Sequence, residues 1–276
     1  MSLAAPIGIF DSGVGGLSVL RAIRQQHPSE NLIYLADQAH VPYGPRGLRQ
    51  VQAFSEGITR YLLGQGAKLI VIACNTASAA ALHHLRATFP DVPFVGMEPA
   101  VKPAAEHTNS GVVGVLATPT TFEGELYASV VERFAQDVTV LQDTCAGLVG
   151  QIEQGKLDGP EARRILQGAL EPMLESRLDT VVLGCTHYPF VIPLIQDIVG
   201  PQVNVIDPSP AIARQVGRLL EKHTLQNPAR SIGVTRYLTS GDPVNFQELI
   251  KKLLEQDASA QMLSWQDDLE LVPQIS

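Results

Sequence analysis

Residues 68–79 read KLIVIACNTASA, and residues 179–190 read DTVVLGCTHYPF. Each stretch has a short apolar run, a small residue, a cysteine, and then hydroxyl, amide or imidazole side chains. A short run rich in β-branched residues that ends in a polar cluster predicts a buried strand. Cys74 and Cys185 are therefore expected just past the ends of two strands, in equivalent positions of a repeated unit. A second pair of segments carries the same repeat: GIFDS at 8–12 has its counterpart in GVLAT at 114–118. Asp11 precedes Cys74 by 63 positions and Ala117 precedes Cys185 by 68, so the period is a whole domain rather than a solenoid repeat.

Working outward, strands are expected at 7–10, 31–35, 68–73, 92–97, 112–117, 138–142, 180–184 and 203–207. The segments between them carry the 3.6-residue period of helices. In 48–63, Leu48, Val51, Phe54, Ile58, Tyr61 and Leu62 share a face, and Gly64 follows as a stop signal. Residues 161–176 read as helical, with Pro172 expected to kink or break the helix. Near the end, Phe246, Leu249, Ile250, Leu253 and Leu254 form another apolar face, with Asp242 as cap and Pro243 in the first turn. Alternation of this kind predicts an α/β fold with largely parallel sheets, in two similar halves that start near residues 1 and 98. Ligands of open α/β sheets bind beyond the carboxyl ends of the strands, so two facing halves would bring both cysteines to one interdomain cleft.

The 276-residue chain is long enough for one large domain or two small ones. Hydrophobic residues make up 45% and charged residues 17%, the balance of a soluble globular protein. A net charge of −8 argues against a nucleic-acid partner, since phosphate binding calls for a basic face. No apolar run approaches the roughly 20 residues of a membrane span, and no secretory signal is expected at MSLAAPIGIFDSG. Three cysteines without a disulfide-framework spacing suit a reducing cytoplasm.

Several chemistries compete for these motifs. Zinc would want about four ligands at short local spacings, and neither half has them. His187 follows Cys185 too alone to complete a set, and the His83–His84 pair reads as surface helix. DSGVGGLS (11–18) follows the first strand and could cradle an anion on its amides, with Asp37 near the place of a ribose-binding acid. Ser18, however, stands where the third glycine of that fingerprint belongs, and a dehydrogenase reading leaves both cysteine motifs unexplained. HVPYGPRG (40–47), which carries Tyr43 and Gly44, reads either as a surface turn or as a substrate loop. No lysine sits in a motif for a pyridoxal-phosphate Schiff base, so no cofactor and no metal are expected. Cys145, in LQDTCAGLV, reads as a small buried hydrophobe. A cysteine hydrolase would need only one of the other two thiols, and a non-catalytic amino-acid-binding module would need neither.

FDSGVGGLSVL, VPYG, ACNTASA and GCTHYPF, in this order and spacing, closely resemble the glutamate racemases of the aspartate/glutamate racemase superfamily. The resemblance implies two α/β domains of pseudo-twofold relation, residues 1–97 with 208–276 and residues 98–207, with the site between them. It implies cofactor-independent interconversion of L- and D-glutamate, the D form feeding peptidoglycan synthesis, and leaves open a homodimer. Carried over by position, Cys74 and Cys185 match the two catalytic thiols. Asp11, Ser12, Tyr43, Gly44, Asn75, Thr76, Thr186 and His187 match substrate-contacting positions, and Asp37 and Glu153 match assisting acids. Asp11 is assigned to support Cys74, and His187 to support Cys185. Two departures stand out: ADQAHVPYG where relatives often have GDTARVPYG, and TCAGLV where a proline commonly follows the cysteine. Neither touches the two thiols.

Overall fold

The computed structural model describes residues 2–266 and 269–274. β1 (Ile7–Asp11) leads through α1 (Leu17–Gln26) to β2 (Leu32–Ala36), then through α2 (Leu48–Gly64) to β3 (Leu69–Ile72) and through α3 (Asn75–Thr88) to β4 (Phe94–Val95). After α4 (Val101–His107) the order begins again. β5 (Val112–Ala117), α5 (Pro119–Glu123), α6 (Glu125–Phe134) and β6 (Thr139–Asp143) are followed by α7 (Leu148–Glu153), α8 (Pro160–Glu175) and β7 (Thr180–Gly184). A 3-10 turn at Tyr188–Val191 opens into α9 (Ile192–Val199), and β8 (Asn204–Ile206) closes the second series. The remaining chain forms α10 (Ser209–Lys222), β9 (Thr235–Thr239), α11 (Pro243–Leu254), β10 (Ala260–Trp265) and β11 (Leu271–Pro273).

Two sheets result, ordered β11-β10-β9-β2-β1-β3-β4 and β6-β5-β7-β8. Every pairing is parallel except β10 with β11. The repeat read from the sequence is present in the topology, because β2-β1-β3-β4 and β6-β5-β7-β8 are the same arrangement. β1 and β5 are the central strands, with Phe10 opposite Ile72 and Ala117 opposite Gly184. In β1 and β3 every residue is buried, as expected of parallel strands covered on both faces. Ile7, Ile9, Leu69 and Val71 point to an apolar cluster that continues into the second sheet's helices through Leu166, Leu170 and Ile195. Phe10, Ile70 and Ile72 point to the opposite face, against Val51, Phe54 and Ile58 of α2.

Some expectations change. The strand expected at 92–97 shrinks to Phe94–Val95: Pro93 has no N–H to give, and the Met97 amide leaves the ladder to donate to Ser78 Oγ at 2.8 Å. α8 runs through Pro172 without breaking. That proline lies on the exposed face, where water can take the carbonyl it frees. α2 takes in Gly64 and stops one residue later. β9, β10 and β11 are not legible as apolar runs. They extend the first sheet in series, β9 pairing with β2, β10 with β9 and β11 with β10, which half-buries polar segments such as TRYLT. Asp242 caps α11 as expected, accepting from the Val244 amide at 2.8 Å. Among the described residues no helix is long and apolar enough to cross a membrane.

Candidate active site

The chemistry-bearing residues gather where β1 and β3 of one sheet face β5 and β7 of the other, each at the carboxyl end of its strand. β1 ends in Asp11, and the chain turns through DSGVGG into α1. Asp11 Oδ1 accepts from the Gly13 amide at 2.7 Å and from the Ser12 hydroxyl at 3.2 Å. Its Oδ2 accepts from Thr186 Oγ1 of the other half at 2.8 Å. Cys74 follows β3 and caps α3, its sulfur accepting from the Ala77 amide at 3.4 Å. Cys185 follows β7, with its sulfur 3.7 Å from His187 Nδ1. His187 Nε2 in turn lies 2.6 Å from Glu153 Oε1, at the end of α7.

One small cavity, of about 20 Å³, is lined by Ser12, Tyr43, Gly44, Cys74, Asn75 and Thr76 from the first half. Thr118, Cys185, Thr186 and His187 line it from the second. A far larger groove, about 840 Å³, lies beside α1 and residues 254–259, but it is lined by no thiol, imidazole or other repeat-equivalent residue. The smaller space is the candidate site. Asn75 lines it with both atoms of its buried amide unpartnered. Leaving a buried polar group unpaired costs about 1–3 kcal/mol, which a polar ligand would recover.

Hydrogen bonds across the cleft hold the halves together over this cavity. Besides Thr186 to Asp11, the Val14 amide donates to Glu153 Oε1 at 2.8 Å. Ser18 Oγ donates to the Thr186 carbonyl at 3.0 Å, and Thr76 and Thr118 share a hydroxyl contact at 2.9 Å. The glycines of DSGVGG make this approach possible. A Cβ at Gly13 would stand 2.0 Å from Glu153 Oε1, and one at Gly15 would stand 2.4 Å from His187 Nδ1. One amide of the turn, that of Val14, donates to the chain's own Glu153, and that of Gly13 donates to Asp11.

The profile of the Asp/Glu/Hydantoin racemase family matches residues 7–216. The chain belongs to this family. It is 52% identical over 256 residues to the glutamate racemase of Ectopseudomonas mendocina, covering 92% of this chain and 96% of that one. It is 49% identical over 251 residues to the glutamate racemase of Roseiflexus sp., covering 91% and 92% of the two chains. Among solved structures it is similar to glutamate racemase from Thermus thermophilus in complex with β-chloro-D-alanine. That likeness has a TM-score of 0.81 and 38% identity, and covers 96% of this chain and 98% of that one. The chain is thus a racemase, an enzyme of the isomerase class, with the two-domain fold of these relatives.

Within this racemase, burial and charge shift the titratable groups around the cavity. Burial, followed by the charge of Asp11, pushes the Cys74 thiol well above the ordinary range, and the Ala77 amide only partly offsets this. Burial also raises Asp11, to about 6, against the opposing charge of His187 and the hydrogen bonds from Gly13 and Thr186. For His187, burial works against the imidazolium. The hydrogen bonds and charges of Cys185 and Glu153 outweigh it, and the ring is held well above its usual pKa. Burial opposes ionisation of Glu153 too, but its hydrogen bonds from His187 and Val14 and the His187 charge lower its pKa on balance.

Of the twelve residues named from sequence, nine line this cavity and three, Asp11, Asp37 and Glu153, do not. Asp11 and Asp37 stand behind the wall, Asp11 reaching it through Ser12, whose hydroxyl is 3.9 Å from Cys74 Sγ. Asp37 accepts the Tyr43 hydroxyl at 2.6 Å and so fixes the side chain of this cavity-lining tyrosine. Pro42, Tyr43 and Gly44 of the loop at 40–47 line the cavity. Glu153 reaches the site through His187. Thr118 was missed, although a signal existed, since it is the repeat counterpart of Ser12.

Proposed function

We propose that the protein interconverts L- and D-glutamate without a cofactor, using Cys74 and Cys185 as two acid–base groups on opposite faces of the α-carbon. The observation that carries this reading is the pair of repeat-equivalent thiols lining one cavity from two different halves. Inverting a stereocentre requires removing a proton from one face and delivering one to the other. A lone base returns the proton to the face it left, whereas two thiols across a cleft do not.

The resting charges fit the reaction. An imidazolium at His187, anchored by Glu153, stands 3.7 Å from the Cys185 sulfur, where it balances negative charge as a proton is taken. Cys74, with its raised pKa, remains a thiol ready to donate. In this state Cys185 removes the α-proton of L-glutamate and Cys74 protonates the opposite face. The reverse reaction begins with the two protonation states exchanged. Asn75, Thr76, Ser12 and Thr186 supply donors for the substrate carboxylates, and such preorganised dipoles stabilise the developing carbanion better than water does. The cavity holds no more than about one water, so glutamate enters when the halves, residues 1–97 with 208–276 and residues 98–207, move apart. We place the enzyme in the cytoplasm, where D-glutamate supplies peptidoglycan precursors, and propose a homodimer as its assembly.

The test is α-hydrogen exchange in heavy water, followed by the α-proton signal of each pure enantiomer. Cys74→Ala is expected to exchange L-glutamate slowly without forming the D enantiomer, and Cys185→Ala to exchange only D-glutamate. Exchange of both enantiomers by either single variant would mean one base serves both faces and would overturn the two-thiol reading.

A further inference from the structure

Asp37 is completely buried and surrounded by donors from four directions. Oδ2 accepts from Tyr43 Oη at 2.6 Å and faces His40 Nδ1 at 2.9 Å. Oδ1 accepts from Ser240 Oγ at 2.6 Å and from the Trp265 indole N–H at 2.7 Å. The first two partners belong to the loop that carries Tyr43 and Gly44 to the cavity. The other two belong to the ends of β9 and β10, some 200 residues away in sequence and outside the stretch matched by the family. Ser240 Oγ also accepts from the Ala39 amide at 3.0 Å, a second tie to the same loop. Aromatic packing holds the assembly in register: His40 stacks on Phe54 at 3.8 Å between ring centroids, and Trp265 packs against both His40 and Phe54.

We propose that Trp265, together with Ser240, is a positioning residue for racemisation, holding Asp37 so that Tyr43 and the Gly44 backbone stay fixed as one wall of the catalytic cavity. The loop itself contains two residues that cannot fix it alone. Gly44 has no side chain, and Tyr43 has a single polar atom, already committed to Asp37. The Gly44 carbonyl is then available to Thr120 of the other half, whose hydroxyl donates to it. A shift of Asp37 would therefore displace the wall and loosen one of the contacts that close the cleft. The thiols lie past the ends of β3 and β7, whereas the polar and aromatic contacts of Trp265 run to Asp37, His40 and Phe54, so the effect falls on substrate capture more than on proton transfer.

This inference rests on the racemase reading and deepens it. The experiment compares Trp265→Phe, which removes the indole N–H but keeps an aromatic ring against Phe54, with the parent and with Tyr43→Phe. Trp265→Phe is expected to raise KM for both enantiomers about fivefold while kcat stays within about twofold, an uneven split that a general loss of stability does not produce. Combined with Tyr43→Phe, the second substitution should add little to the first, because both break the same chain of contacts. Ser240→Ala, which removes the other donor to Oδ1 and leaves the aromatic packing alone, should raise KM in the same direction and decides the matter if Trp265→Phe does not fold. Unchanged KM in the folded variants, or fully additive effects in the double variant, overturns the proposal. A parent protein that does not racemise glutamate at all instead overturns the reading beneath it.

Discussion

Gly15 offers the sharpest test of how tightly the two halves must meet. A Cβ there would lie 2.4 Å from His187 Nδ1, 2.7 Å from His187 Cε1 and 2.7 Å from Thr186 Oγ1. Ordinary contact begins near 3.4 Å, so in Gly15→Ala the imidazole must retreat by about 1 Å and the Thr186 hydroxyl by somewhat less. Neither can yield freely. The ring is held between Cys185 and Glu153, and the hydroxyl is bonded to Asp11. A displacement of about 1 Å in a catalytic group costs on the order of a hundredfold in rate, or roughly 2.7 kcal/mol of barrier. Because L- and D-glutamate have equal energy in achiral water, the loss in kcat/KM must be the same in both directions. The assay is optical rotation from each pure enantiomer, with thermal unfolding recorded alongside to show that the fold is intact. If the alanine variant folds and retains activity within about threefold of the parent, the closed contact of His187 with this turn is not part of the reacting state, and the reasoning fails.

Two further outcomes follow from the buried titratable groups. Asp11 is raised from 3.8 to about 6, so its neutral form favours the folded state fully below pH 3.8, and that advantage is lost as pH rises through about 6. Asp11→Asn should therefore be more stable than the parent at pH 8, by up to about 3 kcal/mol in urea unfolding, with the gap closing near pH 4 while activity is lost at every pH. A gap that widens toward acid would contradict the sign. Cys145 is 2% exposed and has φ of 44°, and burial followed by the charge of Asp143 pushes its thiol well up. Cys145→Ser should cost about 1–2 kcal/mol of stability for burying a hydroxyl and leave turnover nearly unchanged; a collapse of turnover matching that of Cys74→Ser, with the fold intact, would show that the wrong thiols were chosen.

What the sequence determined by itself was the local grammar of the site. Apolar runs such as LIVI at 69–72 and TVVLG at 180–184 specify buried strands because both of their faces must be covered, and a polar cluster ends each one. The positions of Cys74 and Cys185 at strand ends follow from neighbours a few residues away. β9, β10 and β11 were not legible, because their burial comes from the partner strand rather than from their own composition. Only the tertiary structure decided that Glu153 would reach His187 across 34 positions, and that Trp265 would reach Asp37 across 228. The same is true of the unpartnered Asn75 amide and of the rise of Asp11 to about 6. Hydrogen bonds and desolvation act over a few ångströms of space, and a periodicity read along the chain contains no term for which distant segments will share those ångströms.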